Sequence, residues 1–179
     1  MILEKRIGIL LRERQGTVAI AESCTGGKVS DRLTNVPGSS DYVEGGILSY
    51  SLRAKVEHLF IPPTYIKRFG AVSPQVAKRM AEGVRKAFHT TFGLSTTGVA
   101  GPGGGSPRTP VGLVFMALSD GKRCVLRREC FRGNRSQIKR QAAEKCLRFF
   151  HDVLTKNEPS KRKRRTGTHR TKPGTPQAA

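Results

Sequence analysis

The 179-residue sequence has no long apolar run, no C-x-x-C pair, and only 13 acidic residues against 33 basic ones. The first absence argues against a membrane-spanning helix, which needs roughly 20 apolar residues in succession. Charges stand early in Met1-Ile2-Leu3-Glu4-Lys5-Arg6, so a secretory signal is not expected. The four cysteines, Cys24, Cys124, Cys130 and Cys146, have no histidine at zinc-ligand spacing, so neither a metal nor any cofactor is called for. Reduced thiols in a cytoplasm are the default, and Cys24 and Cys146 are expected to be structural. Histidine is scarce. His169 lies in the basic tail, and His89 and His151 fall near helix ends, so a Ser-His-Asp arrangement is not suggested. There is no internal repeat and no recognisable nucleic-acid reader motif.

What is abundant is positive charge. The formal net charge is +20, and the segment from Lys156 to Ala179 holds eight Lys/Arg and one Glu, which leaves +13 on residues 1–155. A basic surface attracts nucleic acid, acidic membranes or phosphorylated metabolites, or simply keeps a protein soluble; charge alone does not decide among these. Residues 156–179 are almost free of apolar side chains and are expected to be a disordered basic tail, able to touch nucleic acid weakly through phosphates. Residues 1–155 are long enough for one compact domain with its own core.

Apolar spacing predicts a helix over residues 2–15 with Gly16 as its C-cap, then a strand, Thr17–Ala21. A helix runs from Lys28 to about Thr34, and a turn-rich loop follows at Asn35-Val36-Pro37-Gly38-Ser39-Ser40. Tyr42–Tyr50 reads as a strand and Ser51–Leu59 as a short helix capped by Ser51. Pro62-Pro63 breaks the chain before another short helix, Thr64–Phe69. Ser73-Pro74 is a strong helix start, with Val76, Met80, Val84 and Phe88 along one buried stripe. Leu94–Thr97 is a short strand, and Val111–Leu118 and Val125–Phe131 form a hairpin around Ser119-Asp120-Gly121. Asn134 caps a final helix, Arg135–Leu154, with Ile138, Ala142, Lys145, Cys146 and Phe149 near one face. Strands alternating with helices, plus one hairpin, predict an α/β domain with a mixed sheet.

Four segments could carry chemistry. Ser23-Cys24-Thr25-Gly26-Gly27 lies in the turn between the first strand and its helix, where α/β sheets bind ligands and where a helix N-terminus favours anions. Gly45-Gly46 begins the second segment, which continues to Tyr50 and Ser51 with Lys55 close behind; paired glycines in a strand mark a bulge or a close backbone approach. The third is Ser95-Thr96-Thr97-Gly98-Val99-Ala100-Gly101-Pro102-Gly103-Gly104-Gly105. It lacks the Lys-Ser/Thr ending of a P-loop, yet its glycines allow backbone N–H groups to close on an anion. The fourth is Phe131-Arg132-Gly133-Asn134-Arg135, whose Arg135 could hold a phosphate. Each reads as a place where a strand gives way to a loop or helix. A serine needs a base to become a nucleophile, and Lys55 could serve if burial and a cationic neighbour lowered its pKa. Spacing alone favours a solvated helix lysine.

Taken together, AESCTGG, PGSS, GGILSYSLRAK, GAVSPQVAKRMAEGVR, TTGVAGPGGGSPRTPVG and FRGNR resemble the family of the CinA C-terminal domain, which includes nicotinamide mononucleotide deamidase. The resemblance spans about Val18 to Gln141. It implies an α/β/α domain, commonly self-associating, that hydrolyses the carboxamide of nicotinamide mononucleotide to nicotinate mononucleotide and ammonia in pyridine nucleotide salvage. It also implies Ser23, Tyr50 and Lys55 as catalytic residues, and backbone N–H groups near Gly45-Gly46 or at the turn after Ser23 would then stabilise the oxyanion. Thr97 and Arg135 match the family's hydroxyl residue and arginine, and Thr25, Gly45, Gly46, Gly98, Ala100 and Gly101 are candidate substrate contacts. Many members carry a larger domain ahead of this one. The chain departs from the pattern at Phe60-Ile61-Pro62-Pro63, at Arg108-Thr109 and in its basic tail, and nowhere at Ser23, Tyr50 or Lys55. Two other readings stand beside the enzyme: a non-catalytic nucleotide-binding or competence-related relative, and a nucleic-acid-associated protein acting through the tail.

Overall fold

A computed structural model describes residues 2–156. In chain order the elements are α1 (Leu3–Glu13), β1 (Val18–Glu22), α2 (Lys28–Thr34), β2 (Val43–Leu48), α3 (Leu52–Leu59), α4 (Pro63–Phe69), α5 (Pro74–Ala87), β3 (Phe92–Gly98), β4 (Leu113–Ser119), β5 (Cys124–Cys130) and α6 (Arg135–Lys156). The five strands form one sheet in the order β2-β1-β3-β4-β5. β1 is parallel to β2 and β3, whereas β4 is antiparallel to β3 and β5. Four strands therefore run the same way, and β4 starts where they finish. The carboxyl ends of β1, β2, β3 and β5 meet along one edge of the sheet, which gathers the four sequence segments.

The central strands β1, β3 and β4 bury both faces, and side-chain alternation sorts them. Val18 and Ile20 of β1 and Val114, Met116 and Leu118 of β4 join the core with α1, α2 and α6. Ala19 and Ala21 face the opposite layer with Val76, Met80 and Val84 of α5, and Leu113, Phe115 and Ala117 meet Ala77 and Ala81. The result is the expected three-layer α/β/α domain with a mixed sheet. Small residues bring α5 close: a Cβ on Gly93 would lie 2.0 Å from the Ala81 carbonyl oxygen.

The capping signals work as read. The hydroxyls of Ser51 and Ser73 accept the N–H groups of Ala54 and Val76 at 3.0 and 3.2 Å. Asn134 and Gln137 exchange bonds: Oδ1 of Asn134 accepts the Gln137 N–H at 3.0 Å, and Oε1 of Gln137 accepts the Asn134 N–H at 2.8 Å. This is a capping box, with glutamine in the third position.

Three expectations shift. The left-handed residue after α1 is Gln15, with φ 50°, and the Gly16 N–H then closes on the Leu11 carbonyl at 2.9 Å. The second strand is shorter at both ends, because Tyr42 closes the preceding 3-10 turn and Tyr50 leads into the α3 cap. Lys145 sits at the rim of the α6 face, paired with Glu129 at 3.3 Å. The expected disordered tail falls, apart from Lys156, outside the described residues. Among the described residues no helix is long and apolar enough to cross a membrane.

Candidate active site

Ser23 is the first residue beyond β1. Its N–H donates to the Thr96 carbonyl of β3 at 3.0 Å, so the sheet fixes the backbone at the point where the chain turns. Lys55 lies in α3, which Ser51 starts and whose far end packs on α5: a Cβ on Gly83 would lie 2.4 Å from the Leu59 carbonyl oxygen. That packing carries the Lys55 side chain inward. It is 2 % exposed, which overturns the solvated-lysine reading that spacing favours. Lys55 Nζ donates to Ser23 Oγ at 3.1 Å and to the Ser49 carbonyl oxygen at 2.5 Å. Burial pulls the ammonium down from 10.5 to about 8, with the neighbouring Cys24 acting weakly in the opposite sense. About a tenth of Lys55 is then the neutral amine at pH 7, a usable base.

The pair sits at the floor of a cleft of about 450 Å³. Tyr50, Leu52 and Lys55 form one wall; Ala71 and Val72, ahead of α5, form another; and Thr97–Gly101 with Gly103, Gly104 and Arg135 close the third. Thr97 is almost fully buried and donates its hydroxyl to the Ala71 carbonyl at 2.9 Å, tying two walls together. The Arg135 guanidinium donates to the Gly101 carbonyl at 2.8 Å and to the Tyr50 hydroxyl at 2.5 Å. Tyr50 thus meets Arg135 across the mouth of the cleft, and its hydroxyl makes no hydrogen bond to Ser23 or Lys55 among the described residues.

Of the residues singled out from the sequence, Ser23, Tyr50, Lys55, Thr97, Gly98, Ala100, Gly101 and Arg135 line this one cleft. Thr25, Gly45 and Gly46 do not. Thr25 is fully buried and shares a hydrogen bond with Thr96 at 2.6 Å on the far side of the turn. Gly45 and Gly46 lie within β2, in register with Ala19 and Ile20, and so stand back from the strand end where Ser23 sits. A close approach does require them: added Cβ atoms would lie 2.6 Å from the Phe88 ring and 2.7 Å from the Ile20 carbonyl oxygen. The neighbours are the protein's own atoms, and this removes Gly45-Gly46 as the oxyanion donors.

The anion-favouring end of α2 is also occupied from within. Glu22, 2 % exposed, accepts the N–H groups of Gly27, Val29 and Ser30 at 3.0, 3.1 and 2.8 Å and the Ser30 hydroxyl at 2.7 Å. Glu22 and Ser49 were not readable as site residues, because the last residue of a strand and a serine in a loop carry no distinctive spacing. Cys24 lines the cleft, yet burial pushes its thiol up to about 12, so it is not a thiolate near neutrality. The exposed imidazoles of His58 and His89 lie outside the cleft lining. Among the described residues no group of three His, Cys, Asp or Glu is placed to hold a metal ion.

The family model for the CinA C-terminal domain matches residues 2–154. CinA-like proteins of Syntrophus aciditrophicus and of a Cyanothece strain are 44% and 50% identical over 161 and 152 residues, covering 89% and 83% of this chain. The matches cover only 38% and 36% of those relatives, so the chain spans well under half their length. The crystal structure of the competence/damage inducible protein CihA from Agrobacterium tumefaciens is 34% identical with a TM-score of 0.82, covering 86% of this chain and 93% of that one. A CinA superfamily protein from Klebsiella pneumoniae is 25% identical with a TM-score of 0.83, covering 86% and 96%. With the profile match, the identities and the fold in agreement, the chain belongs to the CinA C-terminal domain family.

Proposed function

We propose that this chain is an amidohydrolase that converts nicotinamide mononucleotide to nicotinate mononucleotide and ammonia. The observation that carries the reading is the buried Lys55 amine 3.1 Å from the Ser23 hydroxyl at the floor of the cleft. A neutral Lys55 takes the proton from Ser23 as Oγ bonds to the carboxamide carbon. The tetrahedral intermediate then collapses: the carbon–nitrogen bond breaks, and the Lys55 ammonium returns a proton to the departing nitrogen, which leaves as ammonia. Water, deprotonated by the same amine, then adds to the ester carbon; the carbon–Oγ bond breaks, the Lys55 ammonium returns the proton to Ser23 Oγ, and the acid departs, ionising to the carboxylate.

Charge developing on the carbonyl oxygen needs donors aimed at it. With Gly45-Gly46 removed, the turn after Ser23 is the place for them, and among the described residues neither Cys24 nor Thr25 donates its N–H to a backbone carbonyl. Arg135 at the mouth is positioned for the substrate phosphate, with Tyr50 orienting the guanidinium. Lys139 follows one turn along α6. No carboxylate pairs with it among the described residues, so it adds positive charge at the same end. The chain's basic balance suits a phosphorylated substrate.

The test is ammonia release from nicotinamide mononucleotide by the purified chain beside Ser23→Ala and Lys55→Ala. Release by the wild type and loss of at least about a thousandfold in both variants is the expected result. Near-normal turnover by folded Ser23→Ala would sink the nucleophile assignment.

A further inference from the structure

The Glu22 carboxylate is buried with no lysine or arginine on it among the described residues; four donors surround it instead. A buried charge is costly unless it is paired or well hydrogen-bonded, so its place here calls for a structural reason. Helices are ordinarily capped by a local Ser, Thr, Asp or Asn. At the start of α2 the cap position is Gly27, with φ 91° and no side chain to contribute. The cap comes from Glu22, on the other side of the turn that bears Ser23.

The same residue reaches Lys55 through its main chain. The Glu22 carbonyl accepts the Ser49 N–H at 2.9 Å and the Ser49 hydroxyl at 3.3 Å. The Ser49 carbonyl in turn receives Lys55 Nζ at 2.5 Å, and Lys55 Nζ donates to Ser23 Oγ at 3.1 Å. These contacts close a ring through Glu22, Ser49, Lys55 and Ser23. We propose that Glu22 is a positioning residue for the Ser23–Lys55 pair: its carboxylate clamps the Ser23–Gly27 turn onto α2, and its carbonyl sets the Ser49 oxygen that orients the amine. The inference rests on the amidohydrolase reading for its substrate, and on geometry alone for Ser23 reactivity.

Glu22→Gln is the direct perturbation. Oε1 takes two donors from Ser30, and Oε2 takes the N–H groups of Gly27 and Val29. An amide must therefore turn its NH₂ toward one of these sets, and the turn loosens without a change of volume. The experiment measures kcat and KM for ammonia release, and in parallel the saturable labelling of Ser23 by a fluorophosphonate, separating the maximal rate from half-saturation. Melting curves check that each protein is folded. Expected for Glu22→Gln is at least about a tenfold fall in kcat and in maximal labelling rate, with KM within about twofold. A helix cap that mattered only to stability would shift the melt and leave both rates alone. Ser30→Ala, which removes one of the four contacts, serves if Glu22→Gln does not fold; a fall of about twofold to fivefold is expected. Wild-type rates in a folded Glu22→Gln, or in Ser30→Ala where that variant stands in, would overturn the proposal. Wild-type protein whose Ser23 labels readily but which releases no ammonia would overturn the substrate and leave the positioning role to be decided by labelling. Wild-type Ser23 that does not label would overturn both.

Discussion

Lys55→Met tests the Ser23–Lys55 pair through stability rather than turnover. Burial holds the ammonium at about 8 instead of 10.5, so at pH 7 the folded protein carries a proton on Lys55 against the preference of its surroundings. At about 1.4 kcal/mol per tenfold, that fall corresponds to roughly 3 kcal/mol. Methionine has a similar length and no charge. Its cost is the loss of the hydrogen bonds to Ser23 Oγ and the Ser49 carbonyl, about 1 kcal/mol each. The variant should be the more stable protein at neutral pH by about 1 kcal/mol, while amide hydrolysis disappears. The sign with pH follows from proton counting. Unfolded Lys55 keeps its proton up to 10.5 and folded Lys55 only to about 8, so between these values the unfolded chain binds more protons and wild-type stability rises with pH. The advantage of Lys55→Met should therefore shrink, by roughly 2 kcal/mol between about pH 6.5 and 9.5, and change sign. Urea unfolding of both proteins across that range reads the difference. A difference that stays flat with pH would refute the reasoning, whatever its size at neutrality.

With neutral Lys55 as the base, kcat/KM for ammonia release should climb from pH 6.5 and level off above a single ionisation near 8; a profile already flat at pH 6.5 would contradict that role. Arg135→Ala should raise KM for nicotinamide mononucleotide about tenfold or more and change kcat less, as steady-state kinetics would show, because its guanidinium sits at the mouth rather than at the floor. Gly112→Ala should cost at least about 2 kcal/mol in urea unfolding. Gly112 has φ +92°, and a Cβ there would lie 1.9 Å from the Phe131 carbonyl oxygen.

The parts of this molecule that the sequence made legible are those fixed by neighbouring residues. Ser51, Ser73-Pro74 and Asn134 start helices because a side-chain oxygen reaches an N–H three residues on, and that geometry depends on nothing distant. Gathering Ser23, Thr97 and Arg135 at one sheet edge was also readable, because Ser23 and Arg135 follow strands and Thr97 lies at the end of one. What the sequence hid depends on contacts between elements far apart in the chain. Lys55 becomes a buried amine only because α3 docks on α5 at Gly83, and nothing in its own surroundings in the sequence distinguishes it from a surface lysine. Gly45-Gly46 announced a close approach correctly, but not that Phe88 and β1 would make it. The anion-binding promise of the α2 end was real as physics, and Glu22 claims it, a pairing seen only once the turn has folded back.

The order of strands bears on how the protein responds to heat. β2 is an edge strand, paired with β1 alone, and it carries two adjacent glycines. Edge segments with few partners open at a lower free-energy cost than the core. The chain that follows β2 holds Ser49, Tyr50 and Lys55, so the proposed base and its carbonyl acceptor hang from an edge strand, whereas Ser23 follows β1, which is paired on both sides. Opening at that edge would separate amine from hydroxyl while β1, β3, β4 and β5 remained paired. On warming, the Ser23–Lys55 contact is the feature placed to be lost first, reversibly, ahead of any cooperative melting of the sheet.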